Sequence, residues 1–525
     1  MEILRVSASR VRCRAIDPSA CKLLCRRRLR SDRPQDDAHR RLAADFQDWW
    51  RREMAEHDVV VVGAGPNGLA AAVEMARAGR SVLVLEAEET IGGAARSMEL
   101  TLPGFVHDAF SSVYPLGIGS PFFRDLPLDE HGLEWVHPAA PLAHPFDDGT
   151  VAMLERSVDA TGETLGPDAR AWRELLWPLV AHWHELAPDL LSPLGIPRHP
   201  LRMAAFGRVG LRSLRHVAES RFRGEHAKAL LGACAGHVGL PLDFAATASY
   251  GLVLVAAGHA VGWPMALGGA GRVAQALASY LRALGGEIRT SVRVRSLGDV
   301  PPARAVLLDV TARQLLSIAG ERLGGRYRRQ LERFRYGCGV FKVDWALDGP
   351  VPWKAPGINR AGTVHLVGSP AELYASEEAP WNGRHAARPL VLFAQPSALD
   401  PTRAPAGKHV AWGYCHVPNG SDVDMTEAIE SQVERFAPGF RDLILARFSA
   451  GPSVLERADA NLVGGDVNGG AGTLSQLFFR PAPRIHPYRT PIRGVYLCSA
   501  STPPGGGVHG MCGYHAARAA LADGF

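Results

Sequence analysis

The sequence predicts an α/β fold, α+β overall, and three observations support this class. An apolar run, a glycine-rich turn, a helical pattern and a second apolar run follow one another over residues 58–86. A second unit of strand, glycine-rich loop and helix covers residues 494–521. Between them, residues 336–418 alternate like strands in the segments VFKVDWAL, GTVHLVG, LVLFAQPS and HVAWGYCHVP.

Other stretches have helical patterns. Residues 130–257 are mostly helical in pattern, and Thr426 to Phe448 has the pattern of an amphipathic helix. Phe244 to Arg272 carries no formal charge before its last residue and is long enough to span a bilayer. Because glycines and a proline interrupt it, we interpret this stretch as a buried helix followed by a loop.

Composition and charge limit the function classes. The 525 residues are 46% hydrophobic and 21% charged, as in ordinary soluble globular proteins. Residues 1–53 hold 14 basic against 8 acidic side chains, and the rest of the chain holds 44 against 45. The body therefore gives no electrostatic reason to expect a nucleic-acid partner. We interpret residues 1–56 as a disordered leader, or as a misassigned start with translation from Met54.

The eight cysteines form neither a C-x-x-C pair nor a cluster with the spacing of metal ligands. This indicates a reducing compartment without a disulfide framework, and it predicts no metal site.

The first motif predicts a dinucleotide site. The run DVVVV, typical of a strand buried on both faces, leads directly into GAGPNG. A helical pattern follows, and a second strand ends in Glu86, whose carboxylate can accept hydrogen bonds from ribose hydroxyls. This order of elements is typical of a Rossmann-like unit, in which the helix N-terminus attracts a pyrophosphate. The residues of the turn that we assign to the cofactor are Gly63, Gly65, Pro66, Asn67 and Gly68.

The segment after Glu86 indicates which dinucleotide binds. Gly92, Gly93 and Arg96 resemble the second fingerprint of the large FAD family that includes amine oxidases and phytoene desaturases. In that family a Gly-Gly turn and a nearby arginine hold the FAD diphosphate. The resemblance therefore implies FAD as the cofactor, rather than NAD.

The C-terminal segment resembles the part of the same family that closes over the flavin. GVYLC is predicted as a short strand, PPGGG as a turn and VHGMCGYHAARAAL as a helix. The resemblance places the helix N-terminus near Gly507 and Val508, facing the flavin ring, and we assign Gly506, Gly507 and Val508 to the cofactor. Residues 262–297 resemble the family segment in which Val294 meets the adenine through its backbone.

These blocks resemble the phytoene desaturase (carotenoid/retinoid oxidoreductase) family, in particular its subgroup called pyridine nucleotide-disulfide oxidoreductase domain-containing protein 2. The resemblance implies a discontinuous FAD-binding domain and a substrate domain with a mixed sheet and a helical cap. We assign residues 57–130, 258–330 and 480–525 to the first domain, and residues 131–257 and 331–479 to the second. Despite the subgroup's name, thiol–disulfide chemistry is excluded, because it requires a redox-active cysteine pair that the sequence lacks.

Three side chains are candidates for catalysis. Lys342 is the only lysine between Lys228 and Lys354 and lies on an apolar strand, where a solvated, outward position is the alternative. His509 begins the helix predicted to face the flavin, and His259 lies in the predicted loop before residue 262. For both histidines, a structural role is the alternative to proton transfer.

These features predict an FAD-dependent oxidoreductase that removes hydride from a bond of a hydrophobic small molecule. We favour a C–C bond and keep a C–N bond as the second choice. Oxygen or a quinone would accept the electrons, since no second dinucleotide motif is visible. The alternatives are a flavin-dependent isomerase or hydratase without net redox change, and a regulator that keeps FAD as a scaffold. We expect a cytoplasmic bacterial protein, or a mitochondrial matrix protein if the source is eukaryotic, and we leave peripheral membrane contact open.

Overall fold

The computed structural model describes residues 56–525, and in this range sixteen strands form two large sheets and two small ones. The predicted leader lies outside the described residues. The strands are β1 Val59–Val62, β2 Val82–Leu85, β3 Ser97–Glu99, β4 Val106–Asp108, β5 Trp135–Val136, β6 Ala140–Pro145, β7 Val151–Leu154, β8 Met265–Ala266, β9 Glu287–Arg289, β10 Ala305–Leu308, β11 Gly339–Leu347, β12 Ala361–Leu366, β13 Val391–Ala394, β14 His409–Val417, β15 Ile444–Ala450 and β16 Val495–Leu497.

The α-helices connect the strands and cover the sheets. Their bounds are Pro66–Arg77, Pro115–Ile118, Pro121–Arg124, Val158–Thr164, Ala169–Ala181, Trp183–Leu190, Pro200–Gly210, Leu214–Arg221, Glu225–Gly236, Thr247–Ala260, Gly271–Ala283, Ala312–Ala319, Gly325–Glu332, Pro370–Trp381, Thr426–Phe436, Pro452–Ala458, Leu474–Phe479 and Met511–Ala522.

The five-stranded sheet is parallel and has the order β16-β10-β1-β2-β9. On one face, alternate residues of β1 pack against the helices Pro66–Arg77, Gly271–Ala283 and Met511–Ala522. On the other face, Val60 and Val62 pack against residues that include Leu315 and Tyr327. Burial on both faces explains why β1 is continuously apolar, since no position of the strand meets water.

The seven-stranded sheet has the order β15-β11-β14-β13-β12-β6-β7, and only its β12–β6 pair is parallel. Helices such as Glu225–Gly236 and Thr247–Ala260 cover one face, and Thr426–Phe436 covers the other. The strands of this sheet all come from residues 140–154 and 339–450, whereas those of the parallel sheet come from 59–85, 287–308 and 495–497. The α/β class is confirmed.

Several predicted elements differ from those observed. The C-terminal helix begins at Met511 and not at residues 507–508. Gly507 and Gly510 adopt φ angles of +120° and +69°, which are incompatible with a right-handed helix, so the helix can start only after them. The amphipathic pattern of residues 426–448 contains a helix only to Phe436. After Pro438 and Gly439 the chain turns, and residues 444–450 pair as β15 with the edge of β11.

Two further stretches also depart from prediction. Residues 130–257 include three strands, and β6 is drawn into the large sheet by its parallel pairing with β12. Pro370–Trp381 is a helix between two of the predicted strands. The helix expected in the uncharged stretch is present as Thr247–Ala260. Within residues 56–525, no helix has the length and apolar content needed to cross a bilayer.

Candidate functional site

A single cavity of about 870 Å³ joins the two large sheets. One part of its lining comes from the carboxyl ends of β1 and β2, where Gly63 and Glu86 lie. Another part comes from the seven-stranded sheet, through Lys342, Phe393 and Trp412. In open parallel sheets, ligands bind outside the carboxyl ends of the strands, so the position of the cavity agrees with the dinucleotide motif.

The glycine turn after β1 fits closely against its neighbours. A Cβ on Gly68 would lie 2.1 Å from the carbonyl oxygen of Gly63, so this position admits only glycine. The helix Pro66–Arg77 starts at once, with proline in its first turn and no side-chain cap on its N-terminus. Its positive end is therefore directed at the cavity, which Gly63, Gly65, Pro66 and Asn67 line.

The second glycine turn lies against the first. A Cβ on Gly93 would stand 3.2 Å from the Cα of Gly65, so the two turns meet backbone to backbone. The Gly92 amide donates to the carbonyl of Ala64 at 2.9 Å and ties the turns together. Arg96 lines the cavity and donates to the carbonyl oxygens of Gly93 and, from another segment, Ala458. Gly68 and Gly92 support the lining without contributing to it.

Glu86 is held rigidly at the end of β2. One carboxylate oxygen accepts from the Ala64 amide at 2.7 Å, and the other accepts from the Glu88 amide at 2.9 Å. Glu86 and Val294 both line the cavity, and Val294 lies in the segment after β9. This end of the cavity therefore contains the residues predicted to contact the adenosine.

The C-terminal loop contributes Gly506, Gly507, Val508 and His509 to the lining. His509 is fully buried, and burial lowers its pKa to about 4, so the ring is neutral. Its Nδ1 accepts from the Met511 amide, and therefore Nε2 carries the proton. Nε2 has no hydrogen-bond partner in the described part of the chain, and the same is true of the Asn67 carbonyl oxygen.

These features fit FAD. The paired glycine turns form a cradle that side chains would fill, and buried polar atoms of Asn67 and His509 are available to a ligand. Among the predicted cofactor residues, all but Gly68 and Gly92 line one continuous cavity.

Lys342 is buried, so the solvated alternative considered from the sequence is wrong. Its ammonium donates to the carbonyl of Asp108 at 3.0 Å, pairs with Asp344, and lies 4.9 Å from the centre of the Trp412 ring. Burial lowers the pKa of Lys342 and raises that of Asp344 to about 6. Behind this pair, Arg403 binds Asp108 at 2.8 Å. Lys342 therefore belongs to a buried charged network whose near end reaches the cavity.

His259 does not reach the cavity. It lies in the last turn of the helix Thr247–Ala260, not in a loop. Its Nε2 accepts from the Trp172 indole at 3.4 Å, and its Nδ1 contacts the carbonyl of Arg156 at 3.3 Å. One ring nitrogen is engaged by the helix Ala169–Ala181 and the other by a loop carbonyl, which is the structural alternative weighed for this residue.

The far end of the cavity is apolar and aromatic. Trp263 donates its indole proton to Thr363 at 3.0 Å, and His237 contacts His365 through their Nε2 atoms at 3.1 Å. Burial lowers the pKa of His237 to about 3, so this ring is also neutral. The side chains of this end are His237, Tyr250, Val253, Leu254, Trp263, Leu392, Phe393, Trp412 and Tyr414. No local sequence pattern indicated this set, because it combines residues 237–263 with residues 392–414.

Asp309 is a cavity residue that the sequence reasoning did not identify. It follows β10, the strand beside β1, and its carboxyl group accepts from the Gly68 amide at 2.8 Å. Burial raises its pKa to about 8, and the charges of Asp459 and Glu86 act in the same direction. The rule that places ligands at the carboxyl ends of parallel strands could have identified it.

Five described cysteines are free and buried. Burial raises the pKa of Cys338 and of Cys512 to about 12, so both stay protonated thiols at neutral pH. Thiolates are the reactive form in disulfide exchange, and these side chains do not supply them.

Comparison with known proteins also indicates a flavin-dependent oxidoreductase. Residues 67–317 match the family model described as flavin containing amine oxidoreductase. Pyridine nucleotide-disulfide oxidoreductase domain-containing protein 2 of Mus musculus is 29% identical, over 90% of this chain and 94% of that protein. Phytoene dehydrogenase of Streptomyces griseus is 26% identical, over 86% of this chain and 92% of that protein.

A solved structure confirms the fold. An oxidoreductase from Methanosarcina mazei superposes with a TM-score of 0.61 at 17% identity, covering 88% of this chain and 99% of the other. The family match and the two relatives confirm the resemblance that the motifs indicated, and FAD is the cofactor. The chain is an FAD-dependent oxidoreductase that is related to the phytoene desaturases and to the mouse protein.

Proposed function

We propose that the protein oxidises a hydrophobic small molecule at a C–C bond, with oxygen or a quinone as the final electron acceptor. The observation that carries this proposal is the continuity of the cavity from the paired glycine turns to the aromatic end. Bound FAD supplies a two-electron acceptor for hydride. The protein contributes orientation and the exclusion of water.

The side chains at the aromatic end favour a hydrocarbon over an amine. The acidic residues of the lining are Glu86, Glu88, Asp189, Asp309 and Asp459, and none of them comes from the seven-stranded sheet or from the helix Thr247–Ala260. The charged group that reaches this end from the sheet is the ammonium of Lys342, which repels a protonated amine. The remaining walls at this end are apolar and therefore match the surface of a hydrocarbon. The name of the relative from Streptomyces griseus, phytoene dehydrogenase, agrees with such a substrate.

The polar groups near the substrate have limited roles. Lys342 is held in place by Asp108 and Asp344, so it can keep one hydrogen-bonded position in the cavity. The neutral His509 offers an Nε2 proton at the cofactor end of the same cavity. Oxidation of a C–C bond removes a hydride, which bound FAD would accept, and a proton from the neighbouring carbon. Neither Lys342 nor His509 is a strong base at neutral pH, so this proton would pass to solvent.

Anaerobic reduction of the purified holoprotein tests the proposal. We expect unsaturated hydrocarbons with allylic C–H bonds to bleach the visible absorbance of the flavin, and primary amines of similar size to leave it unchanged. Oxygen or a quinone should then restore the colour, whereas NADP⁺ should not. Turnover that consumes no acceptor would instead support an isomerase or hydratase.

A substitution that fills the aromatic end provides a second test, with a matched control at an exposed position. Leu254→Trp should retain bound FAD and lose bleaching, because the added ring occupies the space of the substrate. Leu445→Trp, at an exposed position of β15, should behave like the natural protein. Bleaching of Leu254→Trp at the natural rate would contradict the proposal, as would a purified protein that takes up no FAD after refolding with it.

A further inference from the structure

Three histidines form a line that starts at the aromatic end of the cavity and continues into the core. His237, the residue after the helix Glu225–Gly236, lines the cavity. Its Nε2 lies 3.1 Å from Nε2 of His365, which is on β12 and fully buried. His144, on β6, is fully buried as well. We call His237, His365 and His144 the histidine line.

The parallel pairing of β12 and β6 brings the second and third histidines together. Val364 is opposite Ala143 in the register of the two strands, so His365 lies beside His144 on the same face of the sheet. Neighbouring strands are about 4.8 Å apart. In both rings Nδ1 is buried and has no hydrogen-bond partner within residues 56–525. A water between two such nitrogens would satisfy both of them and would connect the rings for proton transfer.

The hydrogen bond at the outer end of the line determines the tautomer of His144. Its Nε2 lies 2.8 Å from the carbonyl oxygen of Gly368, which can only accept. Burial lowers the pKa of His144 to about 4, so the ring is neutral, its single proton is on Nε2, and its Nδ1 is an acceptor. A proton on Nδ1 of His365 matches this acceptor and leaves Nε2 of His365 to accept from His237. Nδ1 of His237 is then the nitrogen left with a free lone pair for a ligand in the cavity.

All three rings are neutral at pH 7. Burial lowers the pKa of His237 to about 3 and that of His365 well below its ordinary value. A neutral imidazole has one N–H and one lone pair, so it can take up a proton on one nitrogen and release another proton from the second nitrogen. The titratable side chains beside the line are His416 and Glu377 at its inner end, and Asp147, His226, Glu372 and Arg435 at its outer end.

The outer end of the line lies close to an exposed turn. The ring of Phe146 packs on that of His144 with 4.9 Å between centroids, and on the partly exposed ring of His226 with 4.3 Å. The turn that follows, residues 147–150, is mostly exposed. The histidine line therefore extends from the wall of the cavity to the vicinity of solvent.

A structural role alone does not account for the histidine line. The face of the sheet that carries His365 and His144 is otherwise apolar, and it includes Leu142 and Leu392. Buried polar atoms without partners destabilise a fold. A core that served stability alone would have apolar side chains at both positions.

We propose that the histidine line removes the proton that oxidation of a C–C bond releases inside the cavity. As hydride passes from the substrate to bound flavin, a neighbouring C–H bond breaks, its electron pair forms the new C=C bond, and the proton binds Nδ1 of His237. The Nε2 proton of His237 passes to His365, the Nδ1 proton of His365 passes to His144, and the Nε2 proton of His144 leaves to water. Loss of hydride makes the neighbouring C–H bond acidic, so a weak base is sufficient.

The inference rests on the proposed function, which supplies the substrate and the final acceptor. Reduction of oxygen or a quinone takes up a proton. Return of a proton along the line restores each ring to its starting tautomer, so the line is ready for the next turnover.

Anaerobic flavin reduction, followed together with a pH-indicator dye, tests the line. The probe is the unsaturated hydrocarbon that bleaches the natural holoprotein fastest, and we expect bleaching and proton release to have the same rate. His365→Leu and, separately, His144→Leu should slow both signals about tenfold or more. KM should not change, since neither side chain lines the cavity.

His259→Leu is the matched control, because His259 is buried and lies outside the cavity. It should keep the natural rate of bleaching. It should also lower the thermal unfolding midpoint more than His365→Leu does, since it leaves the Trp172 indole without its acceptor. His365→Leu instead removes a buried nitrogen that has no partner.

Chemical rescue separates proton transfer from packing. His237→Ala removes the ring that meets the substrate and should slow bleaching about tenfold or more. Added imidazole should restore much of this rate, and less basic imidazoles should restore less of it. Imidazole should not restore His365→Leu, whose site is closed to the cavity. Because the rescue uses a residue of the cavity wall, it decides the question even where a leucine variant does not fold.

Two results would overturn the line and leave the proposed function intact. They are natural rates of bleaching in His365→Leu and His144→Leu, and a loss of rate in His237→Ala that no imidazole restores. A natural holoprotein that no hydrocarbon bleaches would overturn the proposed function and, with it, the line.

Discussion

Asp309 places a carboxyl group beside the positive end of the helix Pro66–Arg77. It accepts from the Gly68 amide, and Glu86 and Asp459 are the charged neighbours that raise its pKa further. With a pKa of about 8, the group is neutral at pH 7 and becomes charged as the pH rises through 8. The neutral form leaves the N-terminus of the helix free to attract the FAD diphosphate.

FAD affinity should therefore fall above pH 8. Deprotonation adds a negative charge near the diphosphate, so the Kd of the apoprotein for FAD should rise by up to about tenfold per pH unit above that point. Asp309→Asn keeps the shape and removes the charge, and should give a Kd that changes little between pH 7 and pH 9. Fluorescence titration of FAD measures this directly. Asp422→Asn, at an exposed position, is the control, and a pH profile unaffected by Asp309→Asn would contradict the assignment.

Lys342 should be important for stability as well as for the cavity. Lys342→Met leaves the carboxylate of Asp344 buried without its partner, which costs about 3 kcal/mol or more. The double variant Lys342→Met with Asp344→Leu removes both charges and should recover part of the loss. Thermal unfolding midpoints of the two variants measure the difference. A double variant that is less stable than the single one would show that Asp344 is stabilised mainly by other groups.

Local motifs explain which site residues were predictable. Gly63, Glu86 and Arg96 lie within one short segment of the sequence. The geometry of the two glycine turns in this segment is determined by residues close together in the sequence, so a local pattern identifies them. Asp309 and Trp412 reach the same cavity through sheet pairings over long sequence distances, which no local pattern encodes. His259 was a candidate for catalysis because it lies close to a motif in the sequence. In the structure it instead accepts a hydrogen bond from Trp172, where two helices pack together.

At the scale of elements, two helices cross at a glycine contact. A Cβ on Gly513 would lie 1.8 Å from the carbonyl oxygen of Asn67, so the helix Met511–Ala522 packs directly on the first turn of Pro66–Arg77. This contact holds the C-terminal half of the site against the glycine turn. It depends on one residue that has no side chain.

Gly513→Ala should separate these helices and reduce FAD retention. Overpacking at such a contact costs about 1–3 kcal/mol, and the strain falls on the helix end that faces the cofactor. Gly298→Ala, where a Cβ would meet only the Ser296 hydroxyl at 3.4 Å, is the matched control. The ratio of flavin to protein absorbance after gel filtration measures retention. Equal flavin content in the two variants would contradict the prediction.

Element boundaries were predictable where a local signal determined them. The strands β11 to β14 are present as predicted, and they are buried almost throughout because helices cover both faces of their sheet. The strand β15 was read as the end of a helix, since its pairing with β11 is a tertiary contact that overrides the local pattern. The late start of the helix at Met511 reflects the positive φ angles of preceding glycines, which the sequence allows without requiring.

At the scale of the whole molecule, FAD should act as a cross-link between distant segments. Its predicted contacts come from residues 63–96, Val294 and residues 506–508, and all of them except Gly68 and Gly92 line the same cavity. A ligand that binds only the folded state stabilises it by about 2.7 kcal/mol at a hundredfold excess over its Kd. We expect FAD to raise the unfolding temperature of the apoprotein. FMN should raise it much less, because it lacks the adenosine that Glu86 and Val294 are placed to contact. An equal shift with FMN would contradict this assignment.

The crossing at Gly513 also has a consequence for biosynthesis. β1 and the glycine turn leave the ribosome early, but the helix that packs on them and the loop of residues 506–508 are made hundreds of residues later. Until then the apolar residues of Pro66–Arg77 that pack on the last helix lack their cover. We therefore expect the cofactor site to be complete only after the whole chain has been made, so FAD should bind stably at a late stage of maturation.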